Sequence, residues 1–229
     1  MIGIIGAMAV EVAHLKEAMQ SPHIEVVSGI TFYRGRLAGQ EVVLAKSGVG
    51  KVFAAMCAQT MVLRYGVTRL FVSGVAGSLS KDLHIGDVVI ATTCVQHDMD
   101  TSTVGDPIGM VSGINRIRFE ADTAMVRELE ATCREQGVSY KLGIVATGDQ
   151  FVASAAKERW IAETFGAVAS EMESCAVAQV AFVNRIPYAV IRVISDEADG
   201  KTPEDYPTFV ARSAERSSEI LIAWLKTLP

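Results

Sequence analysis

Long uncharged apolar runs are missing from this 229-residue sequence: no window reaches the ~18 apolar residues that a membrane-spanning helix needs, so no span is expected. Close cysteine pairs are missing as well. Cys57, Cys94, Cys133 and Cys175 are scattered, whereas zinc sites draw on ligands that come in close pairs, so structural zinc is not expected. Cys57, Cys133 and Cys175 fall in apolar helical patterns and read as buried small hydrophobes rather than disulfide partners. No Lys/Arg block occurs. The densest basic patch is Asn115-Arg116-Ile117-Arg118, and the formal net charge is -5, which counts against nucleic acid as the main ligand. His97-Asp98-Met99-Asp100 has no second histidine nearby, so no metal is expected there. Proline is scarce, with 6 residues, and half the chain is hydrophobic, which excludes a disordered composition. The opening MIGIIGAMAVEV has no basic region and is interrupted by Glu11. It reads as a first strand rather than a secretion signal, and a cytoplasmic location is expected.

Apolar periodicity predicts short buried strands at 2–5, 24–27, 31–37, 41–45, 69–73, 87–93, 139–146, 167–169 and 188–194. It predicts helices at 8–19, 51–65, 121–136, 154–164, 172–184 and 209–228, with Ser154 as a candidate N-cap. Ser28-Gly29 and Ala38-Gly39-Gln40 are turns, and two of the three strands around them should pair as a hairpin. Strand and helix alternate along most of the chain, which implies one α/β domain, 1–229, around a central mixed sheet. Segment 97–118 is polar and has no clean period. Loops of that length are functional or lie in an interface.

Three glycine-rich stretches stand out: Gly3-x-x-Gly6, Ser47-Gly48-Val49-Gly50-Lys51 and Ser73-Gly74-Val75-Ala76-Gly77. The first has the wrong spacing for a dinucleotide fingerprint, and the second lacks the gap and the Ser/Thr of a P-loop. The third reads as a strand ending at Gly74 in a small-residue turn, where backbone can approach a flat or sugar-like ligand.

The acids carry more. Glu11 follows the first apolar run, Glu171 and Glu173 lie in ASEMESCAVAQV, and Asp196 follows IPYAVIRVIS. Acids at strand ends point into the crevice of an α/β sheet, and without a metal cluster they suggest acid/base chemistry on a polar organic substrate. Each also has a plainer reading. Glu11 could be a first-turn acid favoured by the helix dipole, Asp196 a helix cap, and Glu171 a supporting acid without direct chemistry. His14, one turn past Glu11, reads as a helix-face residue.

Taken together, IGIIGAMAVEV, KSGVGKV, SGVAGSL, GDVVIATTCVQHDMD, TGDQFV, SEMESCAVAQV and VIRVISDEAD resemble the bacterial 5'-methylthioadenosine/S-adenosylhomocysteine nucleosidases, within the nucleoside phosphorylase and hydrolase superfamily. The resemblance runs over residues 2–199. It implies a single α/β domain with a mixed, partly closed sheet and a homodimer with the site near its interface. It also implies cofactor-free hydrolysis of adenine nucleosides that carry a 5' thioether. By the same resemblance Asp196 is the general acid toward purine N7, Glu11 binds and deprotonates water, and Glu173 holds the ribose hydroxyls. Met172 and Arg192 line the sugar, and Phe151 stacks on adenine while the Val152 backbone bonds it. Met8, Val49, Val75, Ser195 and Tyr206 complete the substrate-binding set.

Phosphorolytic relatives carry Gly and Arg just after the first strand, where this chain has GAMAVEV with an acid that would repel phosphate. Two departures from the nucleosidase pattern bear on the substrate. Val75 stands where a serine is common, and 103–112 (TVGDPIGMVS) lacks the aromatics that often cover the 5' thioether. In their place Val104, Ile108 or Met110 would form an apolar wall. Aminodeoxyfutalosine, whose hydrolase resembles this family, is an alternative substrate, and a phosphate-dependent purine nucleoside phosphorylase is an alternative enzyme.

Overall fold

Half of the mixed sheet closes into a ring, and the other half extends from it as an open arm. The computed structural model describes residues 1–196 and 205–229, with the side chain of Tyr206 outside that description. In chain order the elements are β1 (Ile2–Gly6), α1 (Ala9–Ala18), β2 (Gln20–Val27), β3 (Ile30–Leu37), β4 (Gln40–Lys46), α2 (Lys51–Tyr65), β5 (Arg69–Ser78) and β6 (Val88–Gln96). They continue as β7 (Phe119–Glu120), α3 (Thr123–Glu135), β8 (Tyr140–Thr147), α4 (Ala155–Phe165), β9 (Ala167–Glu171), α5 (Ser174–Asn184), β10 (Tyr188–Asp196) and α6 (Tyr206–Thr227). The order β10-β6-β8-β9-β5 returns on itself because β10 also pairs with β5, giving a barrel-like ring of mixed strands. From β5 the sheet continues through β1, β4, β3 and β2.

Local chemistry explains most elements. Every residue of β1 and of β10 is buried, as expected of strands covered on both faces, and both are continuous apolar runs apart from Arg192, Ser195 and Asp196. Asp122 caps α3 by accepting the Met125 N–H at 2.9 Å. The closing helix α6 packs on α1, β5 and β10, and its fully buried Trp224 lies 5.0 Å from the Phe71 ring. All four cysteines are buried and free, and burial pushes the Cys57 and Cys94 thiols up to about 12.

Several expectations need correction. The expected hairpin is present and extends to a three-strand meander, β2-β3-β4, whose two turns have positive φ at Ser28 and Gly29 and again at Ala38 and Gly39. Strand β2 starts at Gln20, earlier than expected, because an exposed edge strand tolerates Pro22. Strand β5 does not end at Gly74. It runs to Ser78, since β10 and then β9 supply partners for the small residues. Ser154 occupies the N-cap position of α4, but its side chain makes no capping bond. Segment 97–118 holds a 3₁₀ turn, Ser102–Val104, and a bridge between Val111 and Arg116. Among the described residues no helix is long and apolar enough to cross a membrane.

Candidate active site

Glu11 lies in the first turn of α1, where β1 hands over to the helix, and it is 2% exposed. The plain reading of a solvated first-turn acid is thereby excluded. Its Oε2 accepts the Ala7 and Met8 N–H groups at 2.7 and 2.9 Å, and Oε1 accepts the Val75 N–H of β5 at 3.0 Å. The turn that follows β1 and the neighbouring parallel strand β5 thus fix one carboxylate between them.

Arg192 of β10 approaches from the other side of β5, opposite Gly74 in register. It is 1% exposed and faces three carboxylates. Its Nη2 pairs with Glu171 and stands 3.5 Å from Glu173 Oε2, while Nη1 is 3.8 Å from Glu11 Oε1. Burial alone would lower its pKa, but Glu171, Glu173 and Glu11 outweigh that and hold it above the ordinary arginine value.

The two acids of SEMES have different surroundings. Glu171 ends β9 and is saturated: besides Arg192 it accepts the Glu173 and Ser174 N–H groups and the Ser174 and Thr147 hydroxyls. It supports Arg192 rather than facing open space. Glu173 is the N-cap residue of α5, and its Oε1 accepts the Gly50 N–H at 2.8 Å. Burial, then the charge of Glu171, pushes the Glu173 carboxyl up to about 7.

This shift sets opposite trends for stability and for activity. The folded protein holds a proton on Glu173 that the unfolded chain releases near pH 4.5, so its contribution to stability is present below that pH and is lost as pH rises through about 7. The ionised carboxylate is the better hydrogen-bond acceptor, so a kcat/KM that depends on Glu173 as an acceptor should fall as pH drops below about 7. Glu173→Gln should flatten that limb; a limb unchanged in the variant would assign it to another group.

Asp196 is the last residue of β10. A bulge between Ile194 and Asp196 shifts the register against β5 so that Asp196 pairs with Gly77. Its Oδ1 accepts the Ser195 hydroxyl at 2.8 Å. A Cβ on Gly77 would stand 2.6 Å from its Oδ2. The glycines of β5 therefore serve as clearances. A Cβ on Gly74 would overlap Glu11 Oε1 and Arg192 Nη1. We expect Gly74→Ala to lose about 1–3 kcal/mol of stability together with most activity; melting temperature and kcat/KM check both.

The structure thus gathers Glu11, Glu173, Arg192, Ser195 and Asp196 around β5. Val75 contributes its backbone N–H to Glu11, while its side chain packs with Val210, Ala214, Met8 and Val10. Met172 is half-buried between the two acids, and Val49 is exposed. Phe151 is exposed, and Val152 packs beside the Ile161–Phe165 cluster. The Tyr206 side chain lies outside the described residues. In the 103–112 stretch Val104 is 80% exposed, and Ile108 packs against a core cluster. Sequence reasoning did not assign Ser174 and Thr147, whose hydroxyls hold Glu171; only the strand–helix junction around SEMES pointed toward them. His97 is buried against Gly148, and burial lowers its pKa. Among the described residues no group of three His, Cys, Asp or Glu side chains is placed to hold a metal ion.

Elements on either side of β5 thus bring four acids and one arginine together at the partly closed sheet. The family description "Phosphorylase superfamily" matches residues 1–226. A 5'-methylthioadenosine/S-adenosylhomocysteine nucleosidase of Shewanella sediminis is 36% identical, over 99% of both chains. The nucleosidase of that name from Helicobacter pylori, solved with an aminopyrrolopyrimidine pyrrolidinol bearing a propynylthio group, superposes with a TM-score of 0.95 at 35% identity, covering 99% of this chain and 98% of that one. A futalosine hydrolase of Helicobacter pylori gives a TM-score of 0.95 at 34% identity, covering 99% and 97%. The chain belongs to the phosphorylase superfamily and, within it, to the 5'-methylthioadenosine/S-adenosylhomocysteine nucleosidase family.

Proposed function

We propose that the protein hydrolyses the N-glycosidic bond of 5'-methylthioadenosine and S-adenosylhomocysteine, releasing adenine and the 5-thio-substituted ribose, with water as nucleophile and no cofactor. The observation that carries this reading is Glu11: a buried carboxylate held by three backbone N–H groups at the β1–α1 junction. A phosphate dianion needs positive partners, and the guanidinium at the site already faces three carboxylates. Glu11 suits a water molecule, which it can orient and deprotonate. Asp196 protonates purine N7 and makes adenine a leaving group. Glu173 takes the ribose hydroxyls, and the charges of Glu11 and Glu173 favour the cation-like sugar as the bond breaks. The test is incubation with methylthioadenosine in phosphate-free buffer. Adenine plus methylthioribose supports hydrolysis, whereas cleavage only after phosphate is added, giving the sugar 1-phosphate, defeats it.

A futalosine-type nucleoside is a second reading, favoured by the superposition on futalosine hydrolase and by the absence of aromatics from 103–112. Aminodeoxyfutalosine in the same assay ranks the two. The proposal includes a homodimer, supported by exposed Val52, Phe53 and Met56 of α2 and by exposed Val183 of α5, which lines one apolar hollow with Val52. Mass in solution tests it. It also includes a cytoplasmic location, in keeping with four free buried cysteines.

A further inference from the structure

Two motifs remain without a role in this chemistry: the Lys51 of SGVGK, which fails as a P-loop, and the Asp98 of HDMD, which fails as a metal site. Folding brings them to one place. The Lys51 ammonium lies 2.7 Å from Asp98 Oδ1, and it also donates to Gln96 Oε1 at 3.1 Å. Asp98 Oδ2 accepts the Asp149 N–H at 2.9 Å. Asp149 Oδ1 accepts the Lys51 N–H at 2.8 Å, which closes a three-residue cycle. Lys51 and Asp98 side chains are only 20% and 17% exposed, so solvent screens their pairing less than that of a surface pair.

The cycle spans two loops that meet different parts of a nucleoside in the proposed function, on which this inference rests. Loop 47–50 carries Val49 and donates the Gly50 N–H to Glu173, the ribose-binding acid. Loop 148–152 carries Phe151 and Val152, the adenine-binding pair. The fit is tight at Gly50, where φ is +100° and a Cβ would stand 3.0 Å from Asp149 Oδ1. Both the backbone conformation and the approach of Asp149 require glycine there.

We propose that Lys51, Asp98 and Asp149 are positioning residues that latch the sugar-facing loop to the base-facing loop, so that adenine and the thioribose are bound as one unit. A latch of this kind adds little affinity for either half alone. It appears as coupling between the halves, and coupling between sites is reciprocal and measurable in binding.

The experiment titrates wild type, Asp149→Ala, Asp149→Asn and Lys51→Met with free adenine and with a carbon-linked, uncleavable analogue of methylthioadenosine. Asp149→Ala should weaken the analogue about tenfold more than it weakens adenine, within the usual range of coupling. Asp149→Asn keeps an acceptor oxygen for the Lys51 N–H and should recover most of that difference. Lys51→Met, which removes the ammonium but keeps the backbone donor, should move in the same direction as Asp149→Ala by less. Thermal unfolding of each variant separates latch loss from unfolding, and Lys51→Met carries the test if Asp149→Ala does not fold. Equal weakening of adenine and analogue, or no weakening of either, overturns the latch. A wild type that binds both ligands yet cleaves no methylthioadenosine removes the hydrolytic reading and leaves the latch to be read from binding. A wild type that binds neither removes both.

Discussion

Asp196→Asn should fold and bind as the wild type does, yet lose about 10²–10⁴-fold in kcat, the usual contribution of a positioned general acid. Asparagine has nearly the same shape, so it fits the clearance left by Gly77 and keeps an oxygen for the Ser195 hydroxyl. What it lacks is a proton of carboxylic acidity to place on N7. Adenine then has to depart as an anion, and the barrier rises although nothing in the packing has changed. The decisive comparison is kcat at saturating methylthioadenosine against the affinity for free adenine. A kcat within threefold of wild type would remove Asp196 from the chemistry. A parallel loss of adenine affinity would make it a binding residue.

Glu11→Gln should lose kcat on a similar scale, roughly 10²–10⁴-fold, but for a different reason and with a second signature. A carboxamide does not deprotonate water. It also fits its surroundings poorly. The carboxylate accepts three backbone N–H groups with its two oxygens and faces Arg192. An amide has one oxygen, so its NH₂ group must confront at least one of those donors. An unsatisfied buried donor costs about 1–3 kcal/mol. For a chain of this size that corresponds to a melting temperature lower by roughly 2–12 °C. Asp196→Asn should show no such drop. Equal melting temperatures for the two variants would contradict the hydrogen-bond geometry at Glu11, and an active Glu11→Gln would contradict its role as base.

Much of the fold was legible because most elements follow local periodicity. Helix α2 was expected at 51–65 and runs Lys51–Tyr65, since its apolar spacing and Gly66 at the C-terminus are both local signals. The misplaced boundaries share one cause. Gly74 and Pro22 punctuate a sequence read locally, yet each sits inside a strand because a distant strand supplies a partner or leaves an edge. The candidate site shows the same division. The residue types and their arrival at strand ends were visible, whereas the reason for Gly74 and Gly77 was not, because the atoms they make room for belong to residues 11, 192 and 196.

Local pattern was enough to show which acids are available and the strand–helix alternation that makes an α/β domain. How those acids differ in partners and protonation comes from the folded surroundings. Glu171 and Glu173 are two positions apart and chemically identical. One is saturated by Arg192, Thr147 and the α5 N-terminus, and the other is left with a raised pKa beside Gly50. Local pattern does not contain that distinction. Charge and solvation depend on what lies within a few ångströms, and here those neighbours come from strands and loops that only closure of the ring brings together.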